Sequence, residues 1–132
     1  MLSAECYTAR LMLGLLGVTH EVRAVDAYPG SENHTAAFRA MSPSGALPVL
    51  EDDGALFAGV SDILMHLAET YDPAGTWLPE DGRGQVASWL GFATSELVVL
   101  EEARQAAAFG GTGDPDMLRR EGWLALRTLE DR

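Results

Sequence analysis

Apolar residues recur at helical spacing between Cys6 and Leu16, with Leu11 and Leu15 on one line and Met12 and Leu16 on the next. Gly17 stands where such a helix would end. The period then shortens. Val22 to Val25 predicts a short strand, Asp26 to Asn33 a loop around Pro29-Gly30, and Thr35 to Met41 a short helix closed by Ser42-Pro43. Leu47 to Glu51 and Ala55 to Ala58 read as a hairpin joined by Asp52-Asp53-Gly54. Ser61 is the expected cap of a helix from Asp62 to Tyr71, with Ile63, Leu64 and Leu67 inward and Asp72-Pro73-Ala74-Gly75 ending it. From Gln85 to Ala103 a further helix carries Val86, Trp89, Leu90, Ala93, Leu97 and Leu100 in one stripe, with Phe92, Val99 and Ala103 off it. A flexible Gly110-Gly111-Thr112-Gly113 link then leads to a last helix over Asp116 to Glu130, started by Pro115 and packing through Leu118, Trp123, Leu126 and Leu129.

Within this pattern, the proline that enters the first hairpin strand is the most telling residue. Pro48 has no N–H to give to a ladder, so it marks a strand start, an edge or a turn. A cis Leu47-Pro48 bond would turn the Leu47 backbone N–H and C=O outward, where an extended ligand could pair with them as another strand would. An ordinary trans proline between loop and strand fits the same residues.

The element order, helix-strand-helix-strand-strand-helix with the proline at the hairpin, resembles the thioredoxin-like N-terminal domain of the glutathione S-transferase superfamily. Ser3-Ala4-Glu5-Cys6-Tyr7-Thr8-Ala9-Arg10-Leu11 is similar to the serine-containing start of the first helix in the zeta, theta and related bacterial classes. Ser42-Pro43-Ser44-Gly45-Ala46-Leu47-Pro48-Val49-Leu50 resembles the family's asparagine-proline-x-glycine-x-valine-proline-x-leucine segment. Trp77-Leu78-Pro79 looks like the linker before the family's helical domain. The resemblance implies an α/β fold: a thioredoxin-like domain over residues 1–76, lacking its first strand, and a truncated all-α segment over 77–132 that holds the linker and two helices. The strand that family members place in the middle of the sheet, ahead of the serine, is expected to be absent, because only Met1 and Leu2 precede Ser3. Its loss would leave unpaired backbone on both neighbours, so either the sheet rearranges or another chain fills the gap.

Candidate site residues follow from the same resemblance. Ser3 falls on the family's catalytic serine, whose hydroxyl at a helix N-terminus stabilises the glutathione thiolate, although helix capping explains a serine there equally well. Leu47 and Pro48 fall on the positions whose backbone grips the cysteinyl part of glutathione. His34 lies in the loop where some members contact the glycyl carboxylate, and a solvated loop residue is the plainer reading. The family's glutamate-serine pair, which binds the γ-glutamyl carboxylate, is replaced by Gly59 and Val60, followed by Ser61 and Asp62. Val60 has no hydroxyl, so ordinary glutathione binding should be weakened, while the helix N–H groups and the Ser61 hydroxyl could still hold an anion beside Asp62. Cys6, the single cysteine, is a second candidate catalytic group because a thiol at a helix N-terminus can be reactive; a core role suits a lone cysteine better.

Composition narrows the class further. The net charge is −11 and all nine basic residues are arginines, without a basic patch of the kind nucleic acid requires. The longest apolar run, Leu11 to Val18, is too short to span a bilayer, and no signal-peptide pattern precedes it. A single cysteine excludes an internal disulfide and suits a reducing compartment, so a cytoplasmic protein is expected. His20, His34 and His66 have no metal-ligand spacing, and no metal is expected. The expected partner is a small molecule, with glutathione or another small thiol as the implied cosubstrate. Apolar residues on more than one face of the last two helices point to a homodimer. Three readings follow: a divergent enzyme acting on a small electrophile or intermediate as a thiol-adding enzyme, isomerase or cyclase; a non-catalytic dimeric binding module; or a transferase fragment without independent function.

Overall fold

A computed structural model describes residues 3–109 and 113–131. The chain divides into two units, the first ending at Gly82 and the second starting at Arg83.

The first unit opens with α1, Ala4–Leu15, whose N-cap Ser3 accepts the Cys6 N–H through its side chain. The helix begins two residues earlier than its apolar pattern suggests. Ala9, Met12 and Leu13 are its buried residues, whereas Leu11 and Leu15 are exposed. A 3₁₀ turn at Glu32–His34 leads into α2, Ala36–Met41, capped by the Thr35 hydroxyl. The hairpin pairs β1, Val49–Asp52, with β2, Ala55–Ala58, in antiparallel register that sets Asp52 opposite Ala55 and Val49 opposite Ala58. Asp53 and Gly54 make the two-residue turn at φ 49° and 81°, the backbone that fits the right-handed twist of the strands and suits an Asp-Gly pair.

The third helix, α3, runs over Val60–Tyr71 and buries Val60, Ile63, Leu67 and Ala68. Its N-cap is Gly59, and Ser61 lies inside the first turn rather than at the cap position. Asp72 closes it, accepting the Trp77 N–H on its carboxylate and the Gly75 N–H on its backbone carbonyl. Helices α1 and α3 pack together, and α3 lies against the hairpin. Trp77 is exposed, while the neighbouring Leu78 is buried.

Among the described residues the sheet has these two strands alone. The strand expected over Val22 to Val25 is not formed: residues 22–24 are exposed and find no backbone partner among the described residues. The reason is physical. A strand exists only through a ladder, and a cavity, not a strand, separates this segment from β1.

In the second unit, the single helix expected from Gln85 to Ala103 is two helices, α4 at Arg83–Ser95 and α5 at Val98–Phe109. The Thr94 hydroxyl donates to the Leu90 carbonyl at 2.9 Å and the Ser95 hydroxyl to the Gly91 carbonyl at 2.7 Å, back-bonds in the last turn of α4 of the kind that bend a helix. The Leu97 N–H then reaches back five residues to Phe92 and the ladder breaks. Phe92 and Val99, which lie off the stripe on a second apolar face, are buried. The last helix, α6, spans Pro115–Glu130 with Asp114 as N-cap and Pro115 in its first turn. Val99, Leu118 and Ala125 form its core with α5, where Gly122 lets the Leu100 side chain come close. Trp123, Leu126 and Leu129 remain exposed, Trp123 at 70 %. Of the expected glycine link, Gly110, Gly111 and Thr112 lie outside the described residues.

Candidate active site

A cavity of about 650 Å³ in the first unit lies along β1. Cys6 reaches it from α1, and Leu47 and Pro48 form part of its wall at the start of β1. The Leu47-Pro48 peptide bond is cis. A second cis bond, Tyr28-Pro29, had no signal beyond the proline itself. The cavity also takes in Asp52 and Tyr71.

Ser3 sits one turn before Cys6, its Oγ 3.3 Å from the Cys6 nitrogen. Capping uses a lone pair of this oxygen and leaves the hydroxyl proton free to be donated, so the capping role and an anion-binding role are compatible. The N-terminal end of α1 adds the positive end of its dipole.

The segment before Pro48 is fixed by close packing. The Asn33 side-chain amide donates to the Gly45 carbonyl at 3.0 Å, and the Ser42 hydroxyl to the Ala46 carbonyl at the same distance. Gly45 adopts φ 74°, and a Cβ there would sit 2.8 Å from the Asn33 carbonyl oxygen and 3.3 Å from His34 Nδ1. His34 is therefore a neighbour of this loop, but it does not line the cavity.

Ser61 and Asp62 lie in the first turn of α3 and also stand outside the cavity wall. Ser61 Oγ is buried without a hydrogen-bond partner among the described residues, whereas Asp62 is exposed. The structure thus brings Cys6, Leu47 and Pro48 together, keeps Ser3 adjacent to Cys6 but off the cavity wall, and sets His34, Ser61 and Asp62 apart from the cavity. Among the described residues no cluster of His, Cys, Asp and Glu is arranged to hold a metal ion, and no helix is long and apolar enough to cross a membrane.

A polar cluster at the far end of β1 was not anticipated. Asp52 Oδ2 lies 2.6 Å from His66 Nε2, and the Tyr71 hydroxyl donates to the Asp52 carboxylate at 2.8 and 2.9 Å. Phe57 stacks on His66 with ring centroids 3.8 Å apart. The hydrogen bonds from His66 and Tyr71 hold the Asp52 carboxyl below the ordinary carboxylate range. The same carboxylate raises the Tyr71 phenol above its ordinary value. The partners are 14 and 19 residues apart. No short motif could have announced them; the alternation that turns Leu50 and Asp52 to the α3 side of the hairpin was the one available signal.

Comparison with known proteins agrees with this architecture. Residues 1–75 match the family described as glutathione S-transferase, N-terminal domain. A Vibrio cholerae protein named probable maleylacetoacetate isomerase is 36 % identical over 81 residues, which is 61 % of this chain and 37 % of that protein. Glutathione S-transferase 1 of Dianthus caryophyllus is 35 % identical over 80 residues, 61 % of this chain and 35 % of that one. The matches thus span about a third of each curated relative. Among solved structures, a delta-class glutathione transferase of Nilaparvata lugens superposes with a TM-score of 0.84 at 24 % identity, covering 98 % of this chain and 62 % of that one. A possible glutathione S-transferase from Rhodopseudomonas palustris gives 0.82 at 28 % identity, covering 98 % and 66 %. With a thioredoxin-like domain followed by a helical segment, and with more than half of its length matched, this chain belongs to the glutathione S-transferase superfamily.

Proposed function

We propose that this protein is a divergent transferase that binds or acts on a small electrophile, using glutathione or another small thiol at a site whose γ-glutamyl anchor is weakened. The observation that carries this reading is Ser3: its hydroxyl caps α1, keeps a proton to donate, and bonds the backbone of Cys6, the residue that lines the cavity with Leu47 and Pro48. A thiolate held there would accept the Ser3 proton in a hydrogen bond and feel the α1 dipole, which favours the anion. Its sulfur would then form a bond to an electrophilic carbon, with the proton lost from the thiol returned to the product. Conjugation leaves that bond in place; an isomerase outcome, favoured by the name of the Vibrio cholerae relative, breaks it again. Leu47 and Pro48 position the ligand backbone, His34 stands by the loop that supports them, and Ser61, in the first turn of α3 beside Asp62, offers a hydroxyl without a partner among the described residues. A cytoplasmic setting suits a single free thiol.

Isothermal titration of the full chain with glutathione, and in parallel with a mycothiol-type thiol, tests the reading. Saturable binding of one of them, weakened roughly 10- to 100-fold in Ser3→Ala through loss of a charge-assisted hydrogen bond, is expected. Absence of binding by both thiols, or equal affinity in Ser3→Ala, would overturn it.

One observation favours a second reading, a dimeric binding module. Met117, Trp123, Leu124, Leu126 and Leu129 of α6 are all exposed. A homodimer formed through this helix would cover them.

A further inference from the structure

We propose that the outer edge of β2, the side away from β1, is a strand-addition site: it pairs antiparallel with an extended apolar segment of another protein, four residues long like β2 itself and flanked at both ends by lysine or arginine.

The backbone supplies the first argument. The Gly59 N–H donates to the Pro48 carbonyl at 3.0 Å, which makes positions 48 and 59 a hydrogen-bonded pair in the register that sets Val49 opposite Ala58. Antiparallel pairs alternate, so Ala55 and Phe57 bond to β1 while Leu56 and Ala58 turn their N–H and C=O away from it. Neither of these two finds another backbone partner among the described residues. An arriving strand can therefore exchange N–H and C=O bonds with Leu56 and again with Ala58.

Side chains give the second argument. Ala55-Leu56-Phe57-Ala58 contains neither a charge nor a proline, the residues that commonly shield a sheet edge. Ala55 and Leu56 are exposed, and Phe57 is held against α3 by its stack on His66. Successive strand residues face opposite sides, so Leu56 offers an apolar neighbour on one face of the hairpin and Phe57 on the other. A segment apolar at consecutive positions matches both.

Charge gives the third, and it decides the occupant. Between Arg39 and Arg83 the chain has no lysine or arginine, and the hairpin and α3 lie inside this stretch. Glu51, Asp53 and Asp62 make no ion pair among the described residues. Asp53 comes just before β2, Asp62 follows it in the first turn of α3, and Glu51 stands opposite Leu56 across the ladder. Both ends of the edge are therefore acidic, and a basic residue at each end of the partner segment complements them. A second copy of this chain would instead bring the same acids together. The thiol reading plays no part here, since the β2 edge uses neither Ser3 nor the Leu47-Pro48 wall.

The test titrates the full chain with a capped peptide of four alternating valine and leucine residues between two pairs of lysines, while amide hydrogen exchange is followed at Leu56 and Ala58. One control peptide carries proline at the two central apolar positions, and another carries glutamates in place of the lysines. Saturable binding of the lysine peptide, binding of both controls weaker by roughly tenfold or more, and slowed exchange at Leu56 and Ala58 are expected. Leu56→Pro removes an outward N–H without touching a bond to β1, so it should weaken binding to the same extent with Tm retained. No saturable binding, equal affinity for either control peptide or in the folded Leu56→Pro protein, or protection of Val49 and Glu51 in place of Leu56 and Ala58 would overturn the proposal. Concentration-dependent protection of Leu56 and Ala58 in the protein alone would also overturn it, by showing that a second copy covers the edge.

Discussion

Asp52 shows how a single side chain ties strand to helix in this protein. Its carboxylate receives the Tyr71 hydroxyl and faces His66, so β1 is joined to two positions one and a half turns apart on α3. Because these bonds depress the Asp52 pKa below its unfolded value of about 3.8, their stabilisation is fully present above that value and is lost as pH falls through the lower folded value. The Tyr71 shift has the opposite sign: its contribution is present below the unfolded value of about 10 and is lost as pH rises through the raised folded value. Asp52→Asn should therefore lower Tm at neutral pH and flatten the fall in Tm between pH 4 and the folded Asp52 value, as thermal denaturation across pH would show. A variant that keeps the wild-type acid limb would contradict this assignment. Ser3 was legible from the sequence because a cap has a fixed offset to the N–H it receives, here three residues. The Asp52 cluster was not, because its partners meet only once the hairpin lies on α3.

Elements were readable where local chemistry decides them and unreadable where tertiary structure does. Asp52-Asp53-Gly54 reads as a turn, and the hairpin closes on its last two residues, with Asp52 taken into β1 opposite Ala55. Gly54→Ala places a side chain at φ 81° and should cost about 1 to 2 kcal/mol of unfolding free energy, measured by denaturant titration. A change within experimental error would show that the turn is not held in this form. Val22 to Val25 has strand composition, yet composition does not supply a neighbour, and the segment stays outside the sheet. The break between α4 and α5 was legible in principle, since Thr94-Ser95 in a helix interior places two hydroxyls beside backbone carbonyls. The apolar stripe drawn over residues 85–103 runs through this break, so Phe92 and Val99 belong to different helices, α4 and α5.

For the whole molecule, the order of elements and the proline segment identified the superfamily, whereas the exposed face of α6 bears on assembly. A homodimer that covers Trp123 and Leu126 should appear in light scattering as twice the chain mass of 14.2 kDa, and Trp123→Glu should shift it to the monomer. A monomeric wild-type protein at all concentrations would remove the dimeric reading. In the proposed thiol site Ser3 and the Leu47-Pro48 wall would hold the ligand, while Val60, the first residue of α3, has no hydroxyl to give a γ-glutamyl carboxylate. Glutathione affinity of Val60→Ser against wild type, by isothermal titration, tests this site most directly. The restored hydroxyl is predicted to tighten binding by about one to two decades, the worth of a hydrogen bond to a charged group. Unchanged affinity in a folded Val60→Ser protein would contradict the account.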